Sequence, residues 1–398
     1  MIATKQEHID SAPLPVPAFV LFRTFLRLGV TAFGGPAMVP YIRDMMVKRN
    51  PWVSEAGFRD GVALCQSIPG ATAMQTAAYC GLRAGGTLGA LAAYIGFGLP
   101  AFLLMAAFSA AYAKAQTMPV GVSIFNGLRA IVIALMANAV IDFSRSSLKD
   151  WRDAFLAAGA AVFLGCGGSP ILAIIATAIV AAALFKGTDI PMHRDAGGNS
   201  GLRPRIGVLF LLTIPALAVV LAILFLINQR LATLAMLMAK IDLFAFGGGF
   251  ASIPLMLHEI VETRGWMNHG TFMDGIALGQ VTPGPIVITA TFVGYQVAGL
   301  LGAATATIAI FTPSFLILLV SVPYFDRWQQ SLLFRRALRG AFVCFVGLLL
   351  AVTVRFGVAV PWSVLRVLIA LVAFIAVRLG IDIIWVVLAG VCASAILL

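Results

Sequence analysis

Charged residues are scarce in this chain: Lys, Arg, Asp and Glu make up 11% of it, whereas hydrophobic residues make up 61%. A soluble domain has about 25% charged residues, so this composition excludes a water-soluble globular protein. The apolar runs are long enough for helices of about 20 residues that cross a bilayer. They lack the alternating ten-residue pattern of a membrane β-barrel. The composition therefore predicts an all-α membrane protein, a polytopic helical bundle.

Signatures of catalysis and of metal or cofactor binding are also missing. The five cysteines are scattered without a CxxC or Cys/His spacing, which predicts neither a disulfide framework nor a metal site. No HExxH, GxSxG, Walker or Rossmann motif stands in a fitting context. We therefore expect no enzyme, no metal and no cofactor. The net charge of +11 is not arranged in a basic run interleaved with aromatics, so nucleic acid is not expected as a partner.

The chain repeats itself. A pattern of Phe-Gly-Gly, Pro, Trp, Asp-Gly, Gln and Pro-Gly begins at Phe33 and again at Phe246. The offset is 213 residues at the glycines and 214 from Pro254 on. Such a shared order over about forty residues is hard to reach by chance. In an apolar chain, a duplication of this kind is typical of transporters built from two related halves.

About thirteen spans with discontinuous helices are predicted from the apolar runs. They are 19–42, 56–83, 85–113, 119–142, 153–167, 170–186, 206–227, 231–257, 270–297, 299–323, 335–355, 361–377 and 381–398. The predicted organisation is a cytoplasmic tail (1–18), a first repeat (19–186), a polar linker (187–205), a connecting transmembrane helix (206–230) and a second repeat (231–398). Six spans plus one connecting span are an odd number, which predicts two inverted-topology repeats.

The distribution of Lys and Arg predicts the orientation. With the amino terminus inside, the inner loops hold about twice as many of these residues as the outer loops, and cytoplasmic loops are enriched in them. The cluster of Arg43, Lys48 and Arg49 falls in a predicted outer loop and opposes this orientation. We expect a multi-pass protein with a cytoplasmic amino terminus and a periplasmic carboxyl terminus.

Two interrupted helices are the main candidates for a binding site. Pro69-Gly70 and Pro283-Gly284 lie near the middle of matching spans, where Pro and Gly break a helix. Irregular backbone at membrane depth persists only against protein or a wet cavity, and the free N–H groups of a half-helix attract an anion. A plain proline kink is the alternative, but two equivalent breaks favour a site. The candidate side-chain donors beside them are Gln66, Ser67, Thr72, Gln280 and Thr282.

Each half also carries a pair of glycines in its first span. Gly34-Gly35 and Gly247-Gly248 allow the close approach of a neighbouring backbone or of a ligand. Helix packing alone would explain one such pair. Their duplication beside the breaks favours a joint cavity at the membrane midplane.

Ionisable residues in or near the spans are candidates for coupling, gating or anion contact. Asp60 matches Asp274, and Arg129 matches Arg339 at an offset of 210. A charge in hydrocarbon is costly, so each should face the interior and pair or bind. Helix capping or interfacial pairing is the alternative for the two aspartates, and snorkelling is the alternative for the two arginines. Arg27 is the first candidate for contact with an oxyanion, because its planar donors suit one.

These motifs resemble the chromate ion transporter (CHR) family in its long, two-domain form. The resemblance rests on FGGP (Phe33 to Pro36), FGGG (Phe246 to Gly249), the spacing of Trp, Asp-Gly and Gln, QSIPG and QVTPGP, and it covers 19–398. It implies an inner-membrane transporter that exports chromate from the cytoplasm on the membrane gradient and confers chromate resistance. Ala71 stands where Pro285 stands in the second half, so the two half-sites need not be equal.

The resulting hypothesis is a secondary active transporter in which a divalent oxyanion binds at the half-helix N-termini and the halves rock to alternate access. Sulfate has the charge and shape of chromate and is the natural competitor. The alternatives are an importer or exchanger of sulfate or another oxyanion, and an anion channel. The expected partners are the transported anion and the lipid bilayer. A homodimer is left open, because a duplicated chain could itself complete the pair that single-repeat relatives form by dimerising.

Overall fold

The computed structural model describes residues 15–32, 38–184, 219, 221–325 and 331–397. Within these ranges every regular element is a helix, which confirms the predicted all-α class. The predicted polar linker and most of the predicted tail and connecting helix lie outside the described residues. Residues 221–227, at the end of the connecting segment, are helical.

The helices of the two halves correspond in order. Those of the first half are α1 (Ala18–Thr31), α2 (Met38–Arg43, continued by a π-helix over Asp44–Arg49), α3 (Glu55–Ser67), α4 (Thr72–Ala115), α5 (Pro119–Ser147), α6 (Trp151–Gly165) and α7 (Pro170–Leu184). Those of the second half are α8 (Gln229–Phe244), α9 (Ser252–Met256, continued by a π-helix over Leu257–Thr263), α10 (His269–Val281), α11 (Thr289–Ser321), α12 (Leu332–Ala359), α13 (Val364–Arg378) and α14 (Ile383–Leu397).

The matched helices α3 and α10 begin with the same kind of cap. The Ser54 hydroxyl accepts a hydrogen bond from the Gly57 N–H at 3.1 Å, and the Asn268 side-chain oxygen accepts one from the Thr271 N–H at 2.8 Å. Ser and Asn are favoured caps because they satisfy an N–H group that lacks a partner within the helix. The alternative that Asp60 and Asp274 cap these helices is therefore wrong.

The longest helix, α4, folds back on itself. A straight helix of its length would be ~66 Å long, about twice the thickness of the hydrocarbon core. Its backbone leaves the helical conformation at Gly85-Gly86, and a Cβ added at Gly81 would overlap the carbonyl oxygen of Gly89. Residues eight apart are ~12 Å apart in a straight helix. The segments before and after the turn are therefore antiparallel.

Helix α11 has the same turn at the matched place. Its backbone is non-helical at Ala298-Gly299, and a Cβ at Gly294 would overlap the carbonyl oxygen of Gly302. The sequence-based boundaries between spans at 83–85 and 297–299 coincide with these two turns. The second segment in each case is long enough to cross the hydrocarbon core.

The chain also reverses at the two Pro-Gly breaks, where the sequence predicts only an interruption of a single span. A Cβ at Gly61 would overlap the ring of Tyr79, eighteen residues further on, and a Cβ at Gly275 would overlap the ring of Phe292. The two arms around each break therefore lie side by side. The prediction that 56–83 and 270–297 each cross the membrane is wrong. Each forms a helical hairpin, because Pro followed by a glycine at φ 116° or 122° turns the chain back instead of bending it.

Four helical stretches in the described part are long and apolar enough to cross a membrane. They are Thr72–Ala115, Pro119–Ser147, Ile286–Tyr324 and Leu332–Ala359. The predicted number of about thirteen spans is not confirmed. One reason is that an arm of about thirteen residues extends only ~20 Å, which is less than the ~30 Å hydrocarbon core.

Helix α1 runs parallel to the second segment of α4. The Val16 N–H donates to the Ala84 carbonyl oxygen at 2.9 Å, next to the turn, while Gly29 lies against the backbone of Phe97. The matched pair α8 and α11 packs in the same way through Asp242 and the Ser314 N–H. This arrangement brings the ends of α1 and α8 to the level of the two breaks.

Buried ion pairs join the two halves. The Arg129 guanidinium of α5 donates from Nε and Nη2 to both carboxylate oxygens of Asp274 in α10, at 2.7 Å each. The Tyr112 hydroxyl of α4 donates to the same carboxylate at 2.7 Å. In a second pair, Arg339 of α12 donates to Asp153 of α6 at 2.6 Å. Asp274 has no exposed surface, so its charge depends on these donors.

The close approach at Gly302 should be essential for stability. In Gly302→Ala, the new methyl group would overlap the Gly294 carbonyl oxygen, and the backbone would have to shift at a cost of about 1–3 kcal/mol. We expect a lower thermal unfolding midpoint in detergent. Gly159→Ala in α6 is the matched control, since nothing lies within 4 Å of its added Cβ. Equal midpoints for the two variants would contradict the turn.

Asp274, through its pair with Arg129, should contribute much more to stability than Asp60, the residue that matches it in the first half. Asp274→Ala leaves the partly buried Arg129 guanidinium without its acceptor, which costs about 3 kcal/mol, the low end of the range for a buried pair. Asp60 is exposed, and Asp60→Ala should cost about 1 kcal/mol or less. Chemical or thermal unfolding of the purified variants measures the difference. A cost for Asp60→Ala as large as that for Asp274→Ala would contradict the assignment.

Candidate functional site

A cavity of about 450 Å³ lies between the two halves. The first half contributes the end of α3, the start of α4 and the end of α5. The second half contributes the glycine turn after α8 and the start of α11. Its lining includes Gln66, Ala71, Thr72, Ser146, Ser147, Gly247, Gly248, Gly249, Pro285 and Ile286, with Val39, Ala73, Phe143, Phe250 and Phe342 as its other members.

Two helix starts border this cavity. Helix α4 begins at Thr72 after Ala71, and no side chain caps it. The 3-10 turn that leads into α11 begins at Ile286 after Pro285, again without a side-chain cap. The first N–H groups of a helix have no acceptor within it and carry the positive end of its dipole. Two positive helix ends, one from each half, therefore meet at one cavity.

The break glycines tie each half to the other. The Gly70 N–H donates to the carbonyl oxygen of Ala245, at the end of α8, at 3.0 Å. The Gly284 N–H donates to the carbonyl oxygen of Ala32, at the end of α1, at 3.1 Å. These two N–H groups are therefore occupied, and the donors left for a ligand lie in the first turns that follow the breaks.

The second-half glycine turn forms one wall of the cavity. Gly247 and Gly248 have φ values of 102° and 89°, which residues other than glycine rarely adopt. A Cβ at Gly248 would lie 3.5 Å from the Thr72 hydroxyl, so the turn faces the start of α4. The matching pair Gly34-Gly35 lies outside the described residues.

The structure brings only part of the predicted set to the cavity. Gln66, Thr72, Gly247 and Gly248 line it. Pro69 and Gly70 are buried beside it in the hairpin tip. The Ser67 hydroxyl donates to the carbonyl oxygen of Ala63 at 2.7 Å, inside its own helix.

The candidates from the second break do not line this cavity. Gln280, Thr282, Pro283 and Gly284 are not among its lining residues. The Thr282 hydroxyl donates to the Gly279 carbonyl oxygen at 3.0 Å. The second half thus contributes its glycine turn and the residues that follow its break, but not the break itself.

The predicted ionisable candidates do not line the cavity either. Arg27 is exposed on α1, and Asp60 is exposed on α3. Arg129 and Asp274 pair with each other, and Arg339 pairs with Asp153. The described residues that line the cavity include no Lys, Arg, Asp or Glu. The groups that it offers to an anion are therefore helix ends, amides and hydroxyls.

Sequence reasoning missed the hydroxyls at the end of α5. Ser146 and Ser147 line the cavity, whereas the predicted span ended at 142 and left them in a loop. The signal was present in the run Ser144-Arg145-Ser146-Ser147, because α5 continues through it to Ser147. The aromatic walls formed by Phe143, Phe250 and Phe342 had no distinguishing signal in a chain this rich in Phe.

Comparisons with known proteins match both halves of the chain. The family model described as chromate transporter matches residues 19–184 and 232–395, the two halves that form the cavity. An uncharacterized transporter of Methanocaldococcus jannaschii is 43% identical over 360 residues, 90% of this chain and 89% of the relative. No solved structure matches.

Proteins named for chromate transport are also similar. A chromate transport protein of Pseudomonas aeruginosa is 31% identical over 363 residues, covering 87% of this chain and 82% of the relative. One of Cupriavidus metallidurans is 30% identical over 317 residues, covering 77% and 74%. With both halves matched, the resemblance seen in the sequence is confirmed, and this chain is a two-segment member of the chromate transporter family.

Proposed function

We propose that this chain is a secondary active transporter that exports chromate from the cytoplasm across the bacterial inner membrane and thereby confers chromate resistance. Membership of the chromate transporter family supports the substrate. The observation that carries the proposal is the cavity bordered by two uncapped helix starts, one from each half. Transporters built from repeats place their substrate at such an interface of discontinuous helices.

A tetrahedral dianion matches the donors around the cavity. Backbone N–H groups at the start of α4 and α11 would approach it from two sides, while Gln66, Thr72 and Ser147 offer side-chain donors. The lining has no positive side chain, which keeps binding weak enough for release, as transport requires. Sulfate has the same charge and shape, so we expect it to compete.

The hairpins support a cytoplasmic amino terminus. The two arms around Pro69-Gly70 are antiparallel, so α3 begins at the level of the Gly85-Gly86 turn, where α1 also begins. The basic cluster just before α3, which includes Arg43 and Lys48, then lies on the same side as the amino terminus instead of outside. With this cluster on the inner side, it no longer opposes a cytoplasmic amino terminus under the positive-inside rule. An inverted second half, with a periplasmic carboxyl terminus, follows if the connecting segment crosses once.

The positions along α5 support an inward-open state. Ser146 and Ser147 are at the end of α5 that leads to Lys149 and Arg152, the proposed cytoplasmic side. Arg129 is ~27 Å away along the helix, near the end of α4. We propose that the Arg129–Asp274 pair closes the outer side, so that export requires this pair to separate. Asp60 and Arg339 remain predicted coupling or gating residues outside this pair.

One chain supplies both sides of the cavity. The site is therefore complete without a second copy, and we propose that transport does not require a homodimer.

Loss of a lining donor should weaken transport. In inverted membrane vesicles with an imposed potential, Gln66→Ala should raise the half-saturating chromate concentration about tenfold, the effect of one lost hydrogen bond to a charged group at about 1.5 kcal/mol. Gln229→Ala, at the exposed start of α8, is the control and should behave as wild type. Unchanged transport in Gln66→Ala would remove the site assignment. Uptake only in right-side-out vesicles would favour an importer, and unsaturating conductance would favour a channel.

Access to the cavity should depend on the side of the membrane. Ser147→Cys, in a background with the exposed Cys166 and Cys392 replaced by Ser, should react with a membrane-impermeant maleimide in inverted vesicles. It should react much more slowly in right-side-out vesicles, and chromate should slow the reaction further. Labelling from the outer side alone would contradict the inward-open assignment.

A further inference from the structure

A buried carboxylate stands behind the first hairpin tip. Asp242, near the end of α8, is 1% exposed. Its Oδ2 accepts a hydrogen bond from the Ser314 backbone N–H of α11 at 2.7 Å. Its Oδ1 has no hydrogen-bond partner. Three residues further on, Ala245 accepts the N–H of Gly70, so this carboxylate is in the same contact region as the tip.

No positive side chain compensates Asp242 within the described residues, since none of their ion pairs includes it. Lys240 on the same helix donates to Glu259 at 2.6 Å. From α4, the titratable group that faces Asp242 is the Tyr94 hydroxyl, which lies 3.2 Å from the Ser314 hydroxyl. From α3, Cys65 is close enough to interact electrostatically with Tyr94. Neither is a cation. Burying a carboxylate without a cation beside it costs several kcal/mol, so this group is suited to holding a proton.

A second unpartnered oxygen lies in the same cluster. Gln75, in the first turns of α4, is fully buried. Its Nε2 donates to the Pro69 carbonyl oxygen at 2.6 Å, whereas its Oε1 has no partner. A Cβ at Gly70 would overlap the Ser314 side chain and lie 2.9 Å from Gln75 Nε2. The cluster therefore has two spare acceptors, Asp242 Oδ1 and Gln75 Oε1, and one added proton would turn the carboxyl group into a donor.

The cluster is directly behind the cavity. Gly70 precedes Ala71, which lines the cavity, and Gln75 belongs to the helix whose start borders it. A negative Asp242 would repel a dianion at that helix start, because the intervening medium is poorly polarisable. A neutral Asp242 would not. Binding of the anion and binding of a proton should therefore favour each other, as linked equilibria do.

We propose that Asp242 is the proton-coupling residue of this transporter: it takes a proton from water on its free carboxylate oxygen when a divalent oxyanion occupies the cavity. This inference rests on the proposed function. One proton carried with one dianion leaves a net charge of −1, which a potential that is negative inside drives outward. Gly29 stands at the matched position of the first half, and Ala101 stands in place of Ser314, so the duplicated fold holds one such site.

The first test measures protons directly on the wild-type chain. The full-length protein in lipid nanodiscs is mixed with chromate in weakly buffered solution containing a pH dye, at a pH where chromate remains a dianion. We expect the uptake of about one proton for each chromate bound. Binding without proton uptake would overturn the proposal.

The second test compares chromate affinity across pH. In the wild type, the dissociation constant should rise up to tenfold for each pH unit once Asp242 titrates. Asp242→Asn keeps an oxygen for the Ser314 N–H but cannot titrate, so its affinity should not vary with pH. Asp142→Asn is the control: Asp142 is exposed and paired with Arg378, and the pH dependence should remain. Equal pH dependence in the wild type and Asp242→Asn would overturn the proposal. So would a wild-type affinity that depends on the sodium concentration and not on pH.

Failure of the proposed function would look different. If the wild type binds no chromate at any pH, the proposed anion site is wrong. Infrared spectroscopy then tests separately whether Asp242 carries a proton. A carboxylic-acid C=O band present in the wild type and in Asp142→Asn but absent in Asp242→Asn would support a proton on this residue. The same band in all three proteins would contradict it.

Discussion

The structure depends on two backbone hydrogen bonds, from Gly70 to Ala245 and from Gly284 to Ala32. In lipid there is no water to satisfy an N–H or C=O group at a break in a helix. Each half ends its first helix on an unsatisfied carbonyl group, and each half turns a hairpin with an unsatisfied N–H group. The hairpin N–H group of each half donates to the helix-end carbonyl group of the other half. The cavity lies beside these hydrogen-bonded tips, between the two halves.

Charge is kept apart from the proposed binding surface. The described lining of the cavity is neutral, and ionisable groups of the interior, among them the Arg129–Asp274 pair and Asp242, are not part of it. A lining Lys or Arg would bind a dianion tightly and hold it, whereas helix ends and hydroxyls bind it reversibly. In the proposed mechanism, the charged groups respond to opening and to protons, while the neutral surface recognises the shape and charge of the anion.

The sequence was sufficient for the helical class, the duplication, the family and the two breaks, because each leaves a local or periodic pattern. It was insufficient for the direction of the chain after a break. Pro69-Gly70 is compatible with a kink and with a reversal, and the contact that separates the two, between Gly61 and Tyr79, joins residues with no pattern of their own. Asp60 and Asp274 share a motif but differ in burial: Asp274 is fully buried and pairs with an arginine from the other half, whereas Asp60 is exposed. Arg27 lies deep in an apolar run, yet one face of α1 is exposed.

The exchange of hydrogen bonds between the halves also has a consequence for biosynthesis. The carbonyl group of Ala32 leaves the ribosome about 250 residues before the amide of Gly284 that it accepts. Until then, the first tip has no acceptor from the second half, and neither hairpin can take its final depth in the bilayer. We expect the nascent first half to stay at the insertion machinery or near the headgroups, where water can hydrogen-bond to its unpaired peptide groups. The two halves can then assemble only late in translation.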